Sequence, residues 1–161
     1  MIFYTSAFLL VMFLIALIDW QQLIIPNNII VVGLISGLLL NIMLGTTYVV
    51  YNVVSSFVAF GITALVRIGG SWLFKKPIMG MGDVKLAALV GLFLGFQGFL
   101  VALWLAAIIG TLYGMIRRKR CQSSQGEKLP FGSFIAVTSS VVMLFAESLH
   151  HYVDVWLTLI R

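Results

Sequence analysis

Apolar residues fill most of the chain in long stretches, and short polar clusters separate these stretches. Each stretch approaches the roughly 20 residues that an α-helix needs to cross the hydrocarbon core of a bilayer. The clusters hold residues that mark a membrane surface or end a helix, such as Trp20, Pro26 and Asn28. The pattern predicts an all-α, polytopic membrane bundle of about six transmembrane helices. These helices are predicted over residues 2–18, 28–44, 48–68, 83–96, 98–115 and 131–146.

Composition strengthens this prediction. The chain is 61% hydrophobic and only 9% charged, with a mean hydropathy of +1.12, whereas about a quarter of a soluble domain is charged. Its 161 residues leave no room for a separate soluble domain, so a single domain, 1–161, is expected. The apolar N-terminus lacks both a basic leading segment and a small-residue cleavage pattern. A retained helix is therefore expected there.

The distribution of basic residues predicts the topology. Nine of the ten lysines and arginines fall between Arg67 and Lys128, whereas the connections after the second and fourth predicted helices carry no charge. Loops rich in Lys and Arg stay in the cytoplasm. The N-terminus is therefore predicted outside, and the basic loops inside. The run from Arg117 to Arg120 fits this topology and anionic lipid, so no nucleic-acid partner is predicted.

The C-terminal segment 147–161 alternates apolar and polar positions at helical spacing, which is typical of an amphipathic helix in the membrane interface. Glu147, His150 and Asp154 share one face of this helix at spacings that could ligate a metal. A solvated polar face explains the same residues, so no metal site is predicted. Cys121 is the single cysteine, which excludes an internal disulfide and a multi-cysteine zinc site.

Two aspartates stand out among the five acidic residues because each borders a long apolar stretch. Asp19 ends the first predicted helix, and Asp83 begins the fourth, on the same predicted side of the membrane. The fourth helix is only about 20 Å long, against about 30 Å of hydrocarbon, so Asp83 lies below the surface or the bilayer thins. Carboxylates at such depth are tolerated where they face a bundle interior or a cavity. The pair is therefore a candidate functional site.

Two carboxyl groups a few ångströms apart repel each other, and burial disfavours their charge, so one of them keeps a proton. An aspartic protease uses this arrangement: one carboxylate takes a proton from water while the other group hydrogen-bonds the scissile carbonyl. Helix-end electrostatics and the nearby Lys85 favour Asp83 as the base and Asp19 as the acid. Gly80 and Gly82 permit a substrate strand to approach the backbone closely, and an ordinary glycine turn before a helix explains the same two residues.

Three short segments resemble the type IV prepilin peptidases, which are membrane aspartic proteases with a Gly-x-Gly-Asp motif. The first is Ile18-Asp19 followed by Ile25-Pro26-Asn27, the second is the run from Gly80 to Leu86, and the third is Pro130-Phe131-Gly132-Ser133-Phe134. The resemblance implies that Asp19 and Asp83 are the catalytic pair. The predicted substrate-binding positions are Gly80, Gly82, Lys85, Pro130 and Gly132.

The resemblance also implies a reaction and a location. Such an enzyme removes the leader of prepilins or pseudopilins at the cytoplasmic face of the bacterial inner membrane. Cleavage follows a glycine just before the apolar helix of the pilin, where glycine weakens the helix. Prepilin substrates and membrane lipids are the expected partners, and no cofactor is expected. Larger members carry paired Cys-x-x-Cys motifs and methylate the new N-terminus, so the lone cysteine here predicts no zinc and argues against methyltransferase activity.

The alternative from another class is a small proton-coupled transporter that uses the two aspartates as a proton relay. A relay needs polar residues that continue toward the outer side of the membrane. The middles of the helices offer mainly Ser36, Ser55, Ser56, Thr63 and Thr111. Small-residue pairs such as Gly33 and Gly37 fit close helix packing within one chain or between two, which leaves the oligomeric state open.

Overall fold

The computed structural model describes residues 2–75, 79–121 and 130–159; for 118–121 and 146–159 it describes the helical backbone. These ranges contain helices and no strand. The helices are α1 (Ile2–Gln22), α2 (Asn27–Leu44), α3 (Thr46–Phe74), α4 (Met81–Cys121) and α5 (Phe131–Leu159).

Most of these helices have the length and composition of membrane spans. Helices α1, α2 and α3 and the Met81–Arg117 part of α4 are long and apolar enough to cross a membrane, and Phe131–Phe145 of α5 is a shorter apolar helix. Large apolar side chains remain exposed along the outer faces of the bundle, as expected for surfaces that contact lipid. The predicted fold class, an all-α membrane helical bundle, is confirmed.

Helix α4 joins the predicted fourth and fifth helices, and the chain reverses inside it. Gly95 interrupts the helical backbone with φ 69° and ψ −179°, a conformation that favours glycine. Asp83 and Gly110, on opposite sides of this break, both lie against the first turn of α5. In a straight helix they would be about 40 Å apart. The halves 81–94 and 96–121 are therefore antiparallel, and the turn falls at Gly95 instead of the predicted position at Gln97.

Helix α3 is longer than predicted at its C-terminal end. The prediction placed Gly69 and Gly70 in a loop, but the helix continues through both glycines and ends at Phe74. The next residue, Lys75, has a left-handed φ of 51°. A glycine costs a helix only about 1 kcal/mol. In apolar surroundings that cost is smaller than the cost of leaving backbone groups without hydrogen bonds.

Helix α5 also continues past its predicted end at residue 146, so the predicted tail extends the same helix to Leu159. The placement of this segment in the membrane interface stays a prediction. The side chains of Glu147, His150 and Asp154, the set weighed for metal binding, lie outside the described ones.

The first half of α4 is the centre of the bundle. Its residues 84–93 are buried, apart from the half-buried Lys85. Gly33 and Gly37 of α2 lie against its side chains, and a Cβ at Gly91 would come within 2.8 Å of the α3 backbone. The small-residue pair of α2 therefore packs within this chain. Because other helices surround this half of α4, its short length need not match the bilayer, and Asp83 faces the bundle interior.

Two buried polar side chains bind the backbone next to the break in α4, and a third binds one of these two. The Tyr4 hydroxyl donates to the Phe93 carbonyl at 2.8 Å, and Asn41 Nδ2 donates to the Leu92 carbonyl at 3.2 Å. Asn52 Nδ2 in turn donates to Asn41 Oδ1 at 2.5 Å. Breaks in membrane helices are tolerated where neighbouring side chains satisfy the freed backbone groups. This network therefore stabilises the reversal of α4, and the sequence did not predict it.

We expect Gly95→Ala to lower the stability of the bundle. The substitution forces an alanine into a left-handed conformation that costs roughly 1–2 kcal/mol, and its Cβ would lie 2.7 Å from Tyr51 Cε1. The thermal unfolding midpoint in detergent should fall clearly below that of the unmodified chain. Gly61→Ala in α3 is the matched control, because a Cβ there meets no atom within 4 Å. Equal midpoints for the two variants would show that the break does not need glycine.

Candidate active site

Asp19 and Asp83 converge at the first turn of α5. Asp19 lies near the C-terminal end of α1 and Asp83 is the third residue of α4; their exposed fractions are 4% and 8%. A Cβ built on Gly132 would be 3.0 Å from Asp19 Oδ2 and 3.0 Å from Asp83 Oδ1. These two oxygens are thus separated by at most twice that distance. A methyl group at position 132 would crowd both carboxyl oxygens, so glycine is what lets the first turn of α5 lie against the two aspartates.

The local sequence explains how Asp83 is held. Gly80 directly precedes α4, and its N–H donates to Asp83 Oδ2 at 3.1 Å. A carboxylate at the third helical position often reaches back to the first unsatisfied N–H groups in this way. The Gly-x-Gly-Asp run therefore acts as a helix start that fixes the direction of the Asp83 side chain.

Asp19 is held from the other side of the site, by α5. The Ser133 N–H donates to Asp19 Oδ2 at 2.6 Å, and the Ser133 hydroxyl is 2.9 Å from the same oxygen. The first N–H groups of a helix have no partner within the helix, and they favour an anion. Pro130, which is buried just before α5, suits this position because it has no N–H of its own to satisfy.

The other predicted substrate-binding residues make contacts within the protein. A Cβ on Gly82 would lie 3.0 Å from Ile25 Cβ, and one on Gly132 would lie 2.6 Å from Ile25 Cδ1. Ile25, in the connection between α1 and α2, therefore fills the space beside both glycines. Lys85 Nζ donates to Asn27 Oδ1 at 2.8 Å, which ties α4 to the start of α2. The roles of these residues in binding substrate stay predictions.

Ile25 and Ser133 are part of the sequence motifs, but the sequence did not predict their contacts in the site. Ile25 covers the glycines, and Ser133 supplies two of the hydrogen bonds that hold Asp19. The sequence could have indicated a polar contact for Ser133, because a serine in the first helical turn after Pro-x-Gly is placed to direct its polar groups away from the helix. Which aspartate it contacts depends on the packing of α5 against α1.

The arrangement suits proton transfer between two carboxyl groups. No group of three or more histidine, cysteine, aspartate or glutamate side chains that could hold a metal occurs among the described residues. The structure is therefore that of a membrane protein: an apolar helical bundle that buries two converging aspartates.

Comparison with known proteins identifies the family. The family model described as the type IV leader peptidase family matches residues 6–115, which include both aspartates. The chain therefore belongs to the type IV leader peptidase family. Gly132 and Ser133 lie beyond the matched residues, so their contacts with the two aspartates are known from the structure and not from the family model.

Individual relatives agree with this assignment. The prepilin leader peptidase/N-methyltransferase of Pseudomonas putida is 32% identical over 139 residues, which cover 84% of this chain and 47% of the relative. The protein of the same name from Aeromonas salmonicida strain A449 is 29% identical over 150 residues, which cover 89% of this chain and 50% of the relative. The chain spans about half the length of the curated relatives it matches. No solved structure matches it significantly.

We expect Gly132→Ala to abolish most of any peptidase activity that depends on the two aspartates. The added methyl would lie 3.0 Å from Asp19 Oδ2, 3.0 Å from Asp83 Oδ1 and 2.6 Å from Ile25 Cδ1, so it would push the two carboxyl groups out of their present arrangement. The measurement is the rate of cleavage by the purified variant. Gly110→Ala is the matched control, because its Cβ would meet Phe134 and Phe131 at 3.4 Å or more, an ordinary contact. Full activity of Gly132→Ala would show that the reaction occurs elsewhere.

Proposed function

We propose that this chain is an aspartic endopeptidase that removes the leader peptide of type IV prepilins or pseudopilins at the cytoplasmic face of the bacterial inner membrane. The observation that carries the proposal is the convergence of Asp19 Oδ2 and Asp83 Oδ1 beside Gly132. Membership of the type IV leader peptidase family supports the substrate class. The distribution of basic residues supports the cytoplasmic side.

In the proposed reaction the two carboxyl groups share one proton. The ionised group takes a proton from a water molecule, whose oxygen attacks the peptide carbonyl carbon while the protonated group gives its proton to the carbonyl oxygen. In the next step the newly formed carboxylic acid protonates the amide nitrogen, and the carbon–nitrogen bond breaks. The other carboxylate recovers a proton from the tetrahedral intermediate. The pair thus ends with one proton, as it began.

The assignment of roles within the pair stays a prediction. Helix-end electrostatics favour Asp83 as the ionised base. The hydrogen-bond donors favour the opposite assignment, because Asp19 accepts two hydrogen bonds from Ser133 whereas Asp83 accepts one from Gly80. We therefore propose the pair as the functional unit.

Substrate entry requires the site to open. Both carboxyl groups are buried, and Ile25 occupies the face of Gly82 where a substrate strand was predicted to run. In our proposal an unwound segment of the prepilin displaces Ile25 and reaches the two aspartates. A glycine in the substrate eases the unwinding that this step needs.

The surroundings of the site suggest how a leader is held near it. Prepilin leaders are basic in the family that the sequence resembles, and the predicted cytoplasmic loops of this protein are basic as well. An acidic protein patch is therefore a poor candidate for binding the leader. We propose that anionic lipid headgroups hold it at the membrane surface.

The proton-coupled transporter lacks support from the contacts of its suggested pathway. The hydroxyls of Ser36, Ser55, Thr63 and Thr111 donate to carbonyls one turn earlier in their own helices. The hydroxyl of Ser56 donates to the Ala88 carbonyl of α4. Hydroxyls engaged in this way stabilise helices and their packing, and they do not form a chain that extends from the aspartates.

The printed names of the relatives join a leader peptidase to an N-methyltransferase. We propose the peptidase reaction for this chain, because the paired aspartates support it. Methyltransferase activity and a zinc site are not part of the proposal.

We expect Asp19→Asn and Asp83→Asn each to lower kcat for prepilin cleavage by about 100-fold or more, the range lost when a general acid or base is removed. An asparagine keeps the size of the side chain but cannot exchange the proton. The measurement is cleavage of a candidate prepilin in membranes or proteoliposomes.

Thr111→Val is the matched control for this pair of variants, since the Thr111 hydroxyl bonds only the Ala107 carbonyl of its own helix in the described contacts. It should cleave at the rate of the unmodified chain. If both asparagine variants cleave at the rate of the unmodified chain, the proposal of an aspartic peptidase is wrong.

A further inference from the structure

We infer that Ser133 is a positioning residue that holds Asp19 in both protonation states of the reaction by turning its hydroxyl between Asp19 and the Ala16 carbonyl. This inference rests on the proposed function, because it concerns the proton that the two aspartates exchange. Ser133 is 4% exposed, and its place in the first turn of α5 brings it against the C-terminal part of α1.

The two polar groups of Ser133 differ in what they can do. Its N–H, 2.6 Å from Asp19 Oδ2, can only donate. Its hydroxyl, 2.9 Å from the same oxygen, can donate one hydrogen bond and also accept others. The hydroxyl is therefore able to keep a favourable contact with Asp19 whether that oxygen carries a proton or not.

The Ala16 carbonyl supplies the second position for the hydroxyl proton. Ser133 Oγ lies 3.2 Å from the Ala16 oxygen and 2.9 Å from Asp19 Oδ2, and a hydroxyl has one proton to give. When Asp19 is ionised, the hydroxyl donates to Oδ2. When Oδ2 gains a proton, the hydroxyl accepts from it and donates to the Ala16 carbonyl. No heavy atom has to move, because only the O–H bond rotates.

The oxygen involved is the one that faces the reaction. Asp19 Oδ2 contacts Ser133, and it is also the Asp19 oxygen that lies beside Gly132 together with Asp83 Oδ1. A proton exchanged between Asp19 Oδ2 and Asp83 Oδ1 therefore arrives at, or leaves from, the oxygen that Ser133 touches. A fixed side chain with two compatible proton positions keeps this oxygen aligned through the whole cycle, which is the pre-organisation that proton transfer needs.

The contact that fixes Asp83 has a different character. Asp83 Oδ2 accepts from the Gly80 N–H at 3.1 Å, and an amide N–H cannot accept a hydrogen bond in return. That contact favours one protonation state, whereas the Ser133 hydroxyl serves two. The Ser133 hydroxyl should therefore matter for turnover more than for folding or for substrate affinity.

The test compares four forms of the full chain with the same prepilin in proteoliposomes: unmodified, Ser133→Ala, Ser133→Thr and Ser140→Ala. Ser133→Ala keeps the N–H and loses the hydroxyl. We expect kcat to fall by roughly 10- to 100-fold with KM within twofold, the size expected for the loss of one hydrogen bond to a charged group. Ser133→Thr restores a hydroxyl and should recover kcat to within a few-fold of the unmodified chain.

Ser140→Ala is the control on the same helix, since the Ser140 hydroxyl donates to the Ala136 carbonyl one turn earlier. It should leave kcat and KM unchanged. The inference is overturned if Ser133→Ala turns over like the unmodified chain, if its loss appears in KM, or if a folded Ser133→Thr is as slow as Ser133→Ala. If Ser133→Thr does not fold, the division of the Ser133→Ala effect between kcat and KM decides the question. Absence of cleavage by the unmodified chain would instead refute the proposed function.

Discussion

The first turn of α5 is the constraint on which the site depends. Gly132 lets this turn lie against both Asp19 and Asp83, and Ser133 directs its N–H and hydroxyl at Asp19. Two acidic groups buried among apolar helices are costly unless donors compensate them. Helix α5 supplies this compensation to Asp19, and the start of α4 supplies it to Asp83 through the Gly80 N–H. The carboxyl groups can therefore approach each other in a bundle whose other buried side chains, among those that the structure describes, are uncharged.

The reversal of α4 at Gly95 is what allows α5 to reach both acids. The first half of α4 carries Asp83 into the centre of the bundle, and the second half returns along α5, where Gly110 lies against Phe131 and Phe134. At the far end of the bundle the hydroxyl of Tyr4 and the amide of Asn41 bind the carbonyls next to the break. The site and the turn are thus two ends of one short, buried helix. The backbone at the far end binds side chains of α1 and α2, whereas at the site end the Gly80 N–H binds the Asp83 side chain of α4 itself.

The sequence predicted the helices, the pairing of Asp19 with Asp83 and the family, because long apolar stretches and a Gly-x-Gly-Asp run at a helix start are local features. It did not predict the partners of individual side chains. Ser133 with Asp19, Lys85 with Asn27 and Asn41 with Leu92 are contacts between helices. They depend on how each helix is rotated. In a membrane protein both the buried and the lipid-facing sides of a helix are apolar, so the pattern of apolar residues fixes that rotation poorly.

The convergence of the two carboxyl groups is the central claim, and a cross-link between their positions tests it without any assay of activity. Cysteines would replace Asp19 and Asp83 in a chain with Cys121→Ala, a short bifunctional thiosulfonate would react with them in membranes, and mass spectrometry would detect the joined peptides. The control pairs position 83 with position 41, which is buried beside Leu92 and thus about 14 Å from residue 83 along α4. The account predicts efficient linkage of 19 with 83 and little of 41 with 83. Equal linkage of both pairs, or linkage of neither, would contradict it.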